Sequence, residues 1–198
     1  MVSDHFALFN EPRRPWLEPE TLKEKFLALS AEVHPDRVHQ ASESDKLAAN
    51  QRYTELNAAY NCLREPRDRL RHLLELELGK KPSDLTHVPN DLMDLFFSVG
   101  QLLREVDAFV AEKGRATSPL LQVQLFERGQ EWIEKLNGIR QLINSRREPL
   151  IDELKRLNGG WDAYLPKPME RVLEIWRWLS FYDRWLAQIQ ERTVQISF

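Results

Sequence analysis

A single cysteine, Cys62, and seven glycines are all that the 198 residues contain of either type. One thiol excludes an intramolecular disulfide and any zinc or iron-sulfur site built from cysteines. Cys62 reads instead as a small apolar residue packed between helices. Seven glycines leave little material for a loop that cradles phosphate, and neither such a loop nor a nucleophile motif is present. The histidines His5, His39, His72 and His87 are scattered, and His34 with His39 is not a helical metal spacing, so no metal and no cofactor are expected. Nothing selects a pair of carboxylates for acid/base work. The chain therefore reads as a protein without enzymatic activity of its own.

Other absences narrow the class further. Lys plus Arg total 28 against 31 Asp plus Glu, a net charge of -3, so no basic excess points to nucleic acid. No apolar run is long enough to cross a bilayer, and Asp4 and His5 interrupt the start, where neither a signal peptide nor an anchor is visible. A cytoplasmic protein with no membrane contact is expected. Period-two alternation appears nowhere, which predicts no sheet.

What the chain does have is helical stripes and aromatic bulk: 42% of residues are hydrophobic and six are Trp, ample for one large or two small cores. Phe6, Leu8 and Phe9 make a short apolar turn. After a Pro-rich loop, Leu22, Phe26, Leu29 and Val33 fall at intervals of four and three on a helix that Pro19 can open. Pro35 lacks an N–H and pushes His34 out of the helical region, so this helix stops there. A second stripe, Ala49, Tyr53, Leu56, Tyr60 and Leu63, follows Ser42 and Ser44, either of which can cap it. Two stripes joined by a polar loop make an antiparallel hairpin with His34, Pro35, Asp36 and Arg37 at its tip. Arg64, Arg67, Arg69 and Arg71, interleaved with acids, read as a solvated helix face.

Helix, His34-Pro35-Asp36, loop, helix, then Leu63-Arg64-Glu65-Pro66 and a further helix: in this arrangement residues 1–79 resemble a J domain. That is the module by which DnaJ-type co-chaperones engage a DnaK-type chaperone and stimulate its ATP hydrolysis. The resemblance assigns chaperone contact to His34, Pro35, Asp36 and Arg37, with Lys23 and Lys25 as the basic face of the helix before them. A mixed solvated face is the plainer reading of those lysines, because Glu24 and Glu32 interrupt them. Leu56-Asn57-Ala58-Ala59-Tyr60, Leu63, Pro66, Arg69, Leu73-Leu74, Leu76 and Gly79 look more specifically like the HscB co-chaperones.

Lys80-Lys81-Pro82-Ser83 opens a linker expected over residues 80–88, and residues 89–198 read as an all-α three-helix bundle that should fold alone. Asn90 can cap a helix with Leu92, Phe96, Val99, Leu103, Val106 and Val110 on one stripe. Ser118-Pro119 opens the next, with Leu125, Trp132, Leu136, Ile139 and Ile143; Pro149 predicts a kink or break near Glu148. Asn158-Gly159-Gly160 is the clearest stop. The last helix carries Val172, Ile175, Leu179, Tyr182, Leu186 and Ile189. Its Trp176, Trp178, Phe181, Tyr182 and Trp185 exceed what a three-helix core needs, which raises self-association as a homodimer.

Leu92-Met93 and Leu179-Ser180-Phe181-Tyr182-Asp183-Arg184 continue the HscB resemblance into the bundle, while residues 158–168 are longer than the connection usual in that family. HscB proteins deliver an iron-sulfur scaffold protein of the IscU kind to a DnaK-type chaperone called HscA. Carried over by position, the scaffold-binding patch implied here is Leu92, Met93, Phe96 and Phe181, with Phe97 and Gly100 where the family places acids. Leu92 and Phe96 also belong to the core stripe; Met93 and Phe97 share another face, four residues apart, and make an exposed apolar pair there. Two other readings stand beside this one: an adaptor that dimerises and keeps only a vestigial J-like hairpin, and a J-domain co-chaperone with an unrelated client.

Overall fold

The computed structural model describes residues 3–34, 42–82 and 88–197. Among them are seven α-helices and no strand: α1 (His5–Leu8), α2 (Pro19–Glu32), α3 (Glu43–Arg64), α4 (Pro66–Leu78), α5 (Met93–Lys113), α6 (Pro119–Gly159) and α7 (Met169–Ser197). The all-α class read from the stripes is the class observed. Two compact units divide the chain, Met1–Ser83 with Ile151–Trp176, and Asp84–Leu150 with Arg177–Phe198.

In the first unit the hairpin forms for the reasons the sequence carries. Pro19 occupies the first turn of α2, where its missing N–H costs nothing. Ser42, not Ser44, caps α3 by accepting the Asp45 N–H at 3.2 Å. Leu22, Leu56, Ala59 and Leu63 are buried, and the Phe26 and Tyr60 rings stack at 4.3 Å between α2 and α3. Asp4 caps the short α1 by accepting from the Phe6 and Ala7 amides, and Phe6 and Phe9 are fully buried. Gly79, at φ 69, ends α4 in the left-handed region that glycine enters without strain.

The solvated face read from the four arginines fails at Arg69, which is 1% exposed. Its Nε donates to the Pro15 carbonyl at 3.0 Å and its Nη1 to the Leu63 carbonyl at 2.7 Å, while Trp16 lies against the guanidinium at 5.1 Å. Residue type alone placed it in water; the loop from Pro15 and the end of α3 bring it two acceptors that a burial pattern cannot reveal. Ile151–Trp176 belongs to this unit as well, which the sequence boundary at residues 80–88 does not anticipate. Trp161, 1% exposed, donates its Nε1–H to the Arg13 carbonyl at 2.8 Å, and Arg14 pairs with Asp162. Lys167 reaches Glu77 at 3.4 Å. The three-part division into residues 1–79, 80–88 and 89–198 remains a proposal that truncation can test.

The second unit is built on α5 and the unit's parts of α6 and α7. The buried stripe of α5 is Leu95, Val99, Leu103, Val106 and Phe109, entered from Leu92, so Phe96 and Val110 do not lie on its fully buried line. Asn90 caps nothing; it opens a single 3-10 turn, Asn90–Leu92, that leads into α5. Along α6 the buried residues Gly129, Leu136, Ile143 and Leu150 recur every seven, a narrow line on one face of the helix. At Gly129 the helix comes so close to its neighbours that an added Cβ would lie 3.1 Å from Ile196 Cγ2.

No break occurs near Glu148, because α6 continues through Pro149 to Gly159. Pro149 and Ser145, whose carbonyl loses its donor, are both exposed, so that carbonyl is open to solvent while Ile143 and Leu150 hold the buried side. Of the aromatic surplus of α7, Trp176, Phe181, Tyr182 and Trp185 are buried and Trp178 is half-buried.

Candidate chaperone- and client-binding sites

Two regions carry the residues that the sequence singles out. At the hairpin tip, α2 ends at Glu32, Val33 closes it in a non-helical conformation, and His34 follows half-buried. The His34 imidazole meets the Tyr53 ring edge-on, centroids 5.5 Å apart. An antiparallel register follows from the two ring pairs: Phe26 opposite Tyr60, His34 opposite Tyr53. Aromatic contact with a rigid helix therefore holds His34 at the mouth of the loop. Pro35, Asp36 and Arg37 lie outside the described residues.

Of the two lysines, Lys23 is exposed and only loosely paired with Glu20 at 3.9 Å. Lys25 does not face open solvent as expected. Its ammonium is drawn to Glu11, on the loop before α2, which leaves it half-buried. Both lysines of this helix thus have an acidic neighbour, Lys23 a distant one and Lys25 a close one.

At the start of α5 the five apolar candidates sort by burial. Leu92 and Phe181 are each 3% exposed, Met93 is half-buried, and Phe96 and Phe97 are 39% and 62% exposed. The Phe96 and Phe97 rings meet edge-on at 5.6 Å. Leu92 and Phe181 therefore belong to the interior, and what faces solvent is the Phe96–Phe97 pair with the edge of Met93. Phe181 is held by Trp185 at 5.7 Å with the Arg184 guanidinium across its ring. Beside Gly100 lies Arg104, whose Nη1 a Cβ at that position would meet at 3.5 Å. A cation thus borders the surface where an acid is expected from the resemblance.

The histidines that look scattered in sequence are not all scattered in space. His5 and His72 come together with Cys62, a juxtaposition that no local spacing announces because it spans α1, α3 and α4. No helix among the described residues is long and apolar enough to cross a membrane.

Comparison with known proteins finds similarity to co-chaperones named HscB. No family model matches the chain. Among curated proteins it is similar to the co-chaperone HscB homologue of Bordetella pertussis, 38% identical over 101 residues that make up 51% of this chain and 57% of that one. The match thus spans little more than half the length of that relative. The HscB homologue of Shewanella loihica is 28% identical over 187 residues, 94% of this chain and 95% of its own. Among solved structures, HscB from Vibrio cholerae superposes with a TM-score of 0.64 at 22% identity, covering 96% of each chain. Human HscB gives 0.62 at 18% identity, over 98% of this chain and 83% of that one. At such identities the structures speak for the all-α fold.

Proposed function

We propose that this protein is a co-chaperone of iron-sulfur cluster assembly, which recruits a DnaK/HscA-type ATPase through the hairpin tip and brings it an IscU-like scaffold protein. The observation that carries the reading is His34 braced against Tyr53 at the end of α2, directly before Pro35 and Asp36. A short acid/base motif between two helices suits contact with another protein. Similarity to HscB homologues over both half and nearly all of the chain supports the same role.

The client is the finer part of the proposal. Phe96 and Phe97 supply the large, rigid, exposed side chains in which interface energy concentrates, and Met93 at their edge can adapt to a partner's contour. Phe97, Gly100 and the neighbouring Arg104 favour a partner surface that is apolar and not basic, which also keeps the unrelated-client reading open. In the test, His34→Gln and Asp36→Asn abolish stimulation of the chaperone's ATPase and leave the melting temperature of the chain in place. Phe96→Ala with Phe97→Ala weakens scaffold binding about tenfold or more without affecting that stimulation. Loss of stability in the tip variants would make His34 structural. Full stimulation by them would reduce the hairpin to a vestige and favour the adaptor reading. Unchanged scaffold binding by the double variant would move the client elsewhere.

A further inference from the structure

His5 on α1, Cys62 on α3 and His72 on α4 offer one nitrogen, one sulfur and one nitrogen that all lie within 4.8 Å of one another. They are 57 and 10 residues apart in sequence, and only the packing of three helices collects them. The group opens into a cavity of about 260 Å³ that Arg71, Glu75 and Lys81 also line. His72 is buried, while His5 and Cys62 are half-buried.

We propose that His5, Cys62 and His72 form a binding site for a single transition-metal ion of borderline softness, zinc(II) first, with the fourth position open to the cavity. Two imidazoles and one thiolate are the ligand types that such ions select, and three protein ligands with one open position are a regular tetrahedral arrangement. Zinc–nitrogen and zinc–sulfur bond lengths put neighbouring ligand atoms of a tetrahedral site about 3.3 to 3.6 Å apart, so the group has roughly 1 Å to close.

One feature of the cluster points to a ligand rather than to packing, and two others are bonds that an ion would have to replace. His5 Nδ1 is buried and has no hydrogen-bond partner, which is unusual for a ring nitrogen unless something occupies the space in front of it. His72 Nε2 accepts the His5 backbone N–H at 3.0 Å, so its lone pair already points toward α1 and its own ring proton sits on Nδ1. An ion taken by that lone pair replaces this hydrogen bond. The Cys62 S–H donates to the Asp68 carbonyl at 3.5 Å, a bond that loss of the thiol proton would end.

Electrostatics agree for the imidazoles and set a condition for the thiol. Burial pushes the His72 imidazole down to about 4 and lowers that of His5, so both rings are neutral and able to ligate at pH 7. Burial pushes the Cys62 thiol up to about 11, so metal binding must expel its proton. Glu75 on the cavity wall favours a cation, and Arg71 and Lys81 oppose it. Arg71 is partly turned toward Asp68 at 3.6 Å, which leaves Lys81 as the main counterweight. In the balanced step, the Cys62 S–H bond breaks, its electron pair goes to the metal, and the proton leaves to buffer.

The experiment uses the full chain without an affinity tag, reduced and stripped with chelator, titrated with zinc(II) by calorimetry and with cobalt(II) by absorption. One equivalent of zinc binds with release of close to one proton per ion, and cobalt develops a thiolate-to-metal charge-transfer band. Cys62→Ser abolishes that band, and His5→Gln weakens zinc binding by at least about tenfold. Both residues are half-buried, and a melting curve in chelator confirms that the variants fold; should either not, Cys62→Ala and His5→Tyr take their place. Zinc that fails to bind at one equivalent, a cobalt complex without the band, or unchanged zinc affinity in either variant would overturn the site. ATPase stimulation plays no part in these readouts, so the outcome stands apart from the fate of the co-chaperone reading.

Discussion

The two units hold themselves together in different ways. In the unit of Met1–Ser83 and Ile151–Trp176, buried polar groups tie distant stretches of chain: Arg69 to Pro15 and Leu63, Trp161 to Arg13, His72 to the His5 amide. In the unit of Asp84–Leu150 and Arg177–Phe198, the interior is aliphatic and aromatic apart from Ser180, and the ion pairs Arg128–Glu112, Arg192–Asp107 and Arg147–Asp183 stay near the surface. Short helices with loops between them leave carbonyls that need donors inside, whereas long helices satisfy their own backbone and need only an apolar seam. The first unit should thus be sensitive to single polar substitutions and to acid. The second should be sensitive mainly to truncation of its seam.

The largest effect is expected at Arg69. Replacing it by Met keeps most of the volume and removes the donors, leaving the Pro15 and Leu63 carbonyls without their Arg69 partners, at a cost of about 3 to 5 kcal/mol. Burial has already pulled the guanidinium down to about 10, yet it is still charged at neutral pH, so the two carbonyls face a cation in the parent. Urea melts of Arg69→Met and of Leu136→Ala, the latter expected to lose about 2 to 5 kcal/mol from the second unit's seam, put the two modes side by side. An Arg69 variant as stable as the parent would end the contrast.

How much of this could be read from the sequence follows the same line. Helix limits at Pro19, Gly79 and Gly159 were legible because proline and glycine act locally, and the hairpin because its stripes keep their period. The α5 stripe was displaced in part because Phe96 counts as core by residue type, whereas Leu95 fills the place and Phe96 turns outward. Of the kink or break expected at Pro149, the break does not occur, because the carbonyl that loses its bond is exposed. Buried Arg69, Trp161 seated on the N-terminal loop, and the meeting of His5, Cys62 and His72 had no local signal at all. Of the residues proposed for chaperone contact, His34 was legible as the end of a helix, and its support by Tyr53 needed the hairpin register.

Acid should separate the units next. In the metal-free protein His72 is neutral when folded, with burial holding it near 4, and takes its proton in the unfolded chain at the ordinary value of about 6.5. Between those values the unfolded state binds more protons, so stability falls as pH drops from about 6.5 toward 4 and is unaffected above. His5 moves in the same direction. Roughly 1 to 3 kcal/mol is at stake, and the described residues of the second unit contain no histidine to match it. Hydrogen exchange at pH 5 and pH 7.5 should show protection lost in α1, α3 and α4 but kept in α5. Equal losses in α5 would mean that the units do not respond separately.

A smaller effect concerns Trp161, whose indole N–H is satisfied by the Arg13 carbonyl. Trp161→Phe keeps most of the ring's burial and gives up that bond, for about 1 to 2 kcal/mol by urea melting. The same contact bears on whether residues 89–198 stand alone. Cut from residues 1–88, that fragment keeps Trp161 but loses its partner and exposes a ring that is 1% exposed in the whole chain. Dye binding to exposed apolar surface should be higher for the fragment than for the intact protein. A fragment with a sharp melt and no dye binding would restore the boundary at residues 80–88.

The smallest effect sharpens the comparison from the other side. Arg128 holds Glu112 through two hydrogen bonds of 2.7 and 3.0 Å, the best-formed ion pair between α5 and α6 by geometry, and its guanidinium lies near Phe109. The pair favours the charged form of both groups, lowering Glu112 and raising Arg128 through their mutual hydrogen bond. Yet both side chains are close to half exposed, and water with salt can replace each partner almost fully. Arg128→Ala is therefore expected to leave the melting temperature unchanged within error in moderate salt, although its geometry is as good as that of Arg69. The comparison thus turns on burial: two arginines with equally short contacts, one between solvated helix surfaces and one enclosed under Trp16. A clear loss of stability in Arg128→Ala, persisting at high salt, would mean that surface ties bear weight in the second unit and that its seam is less sufficient than its heptad spacing suggests.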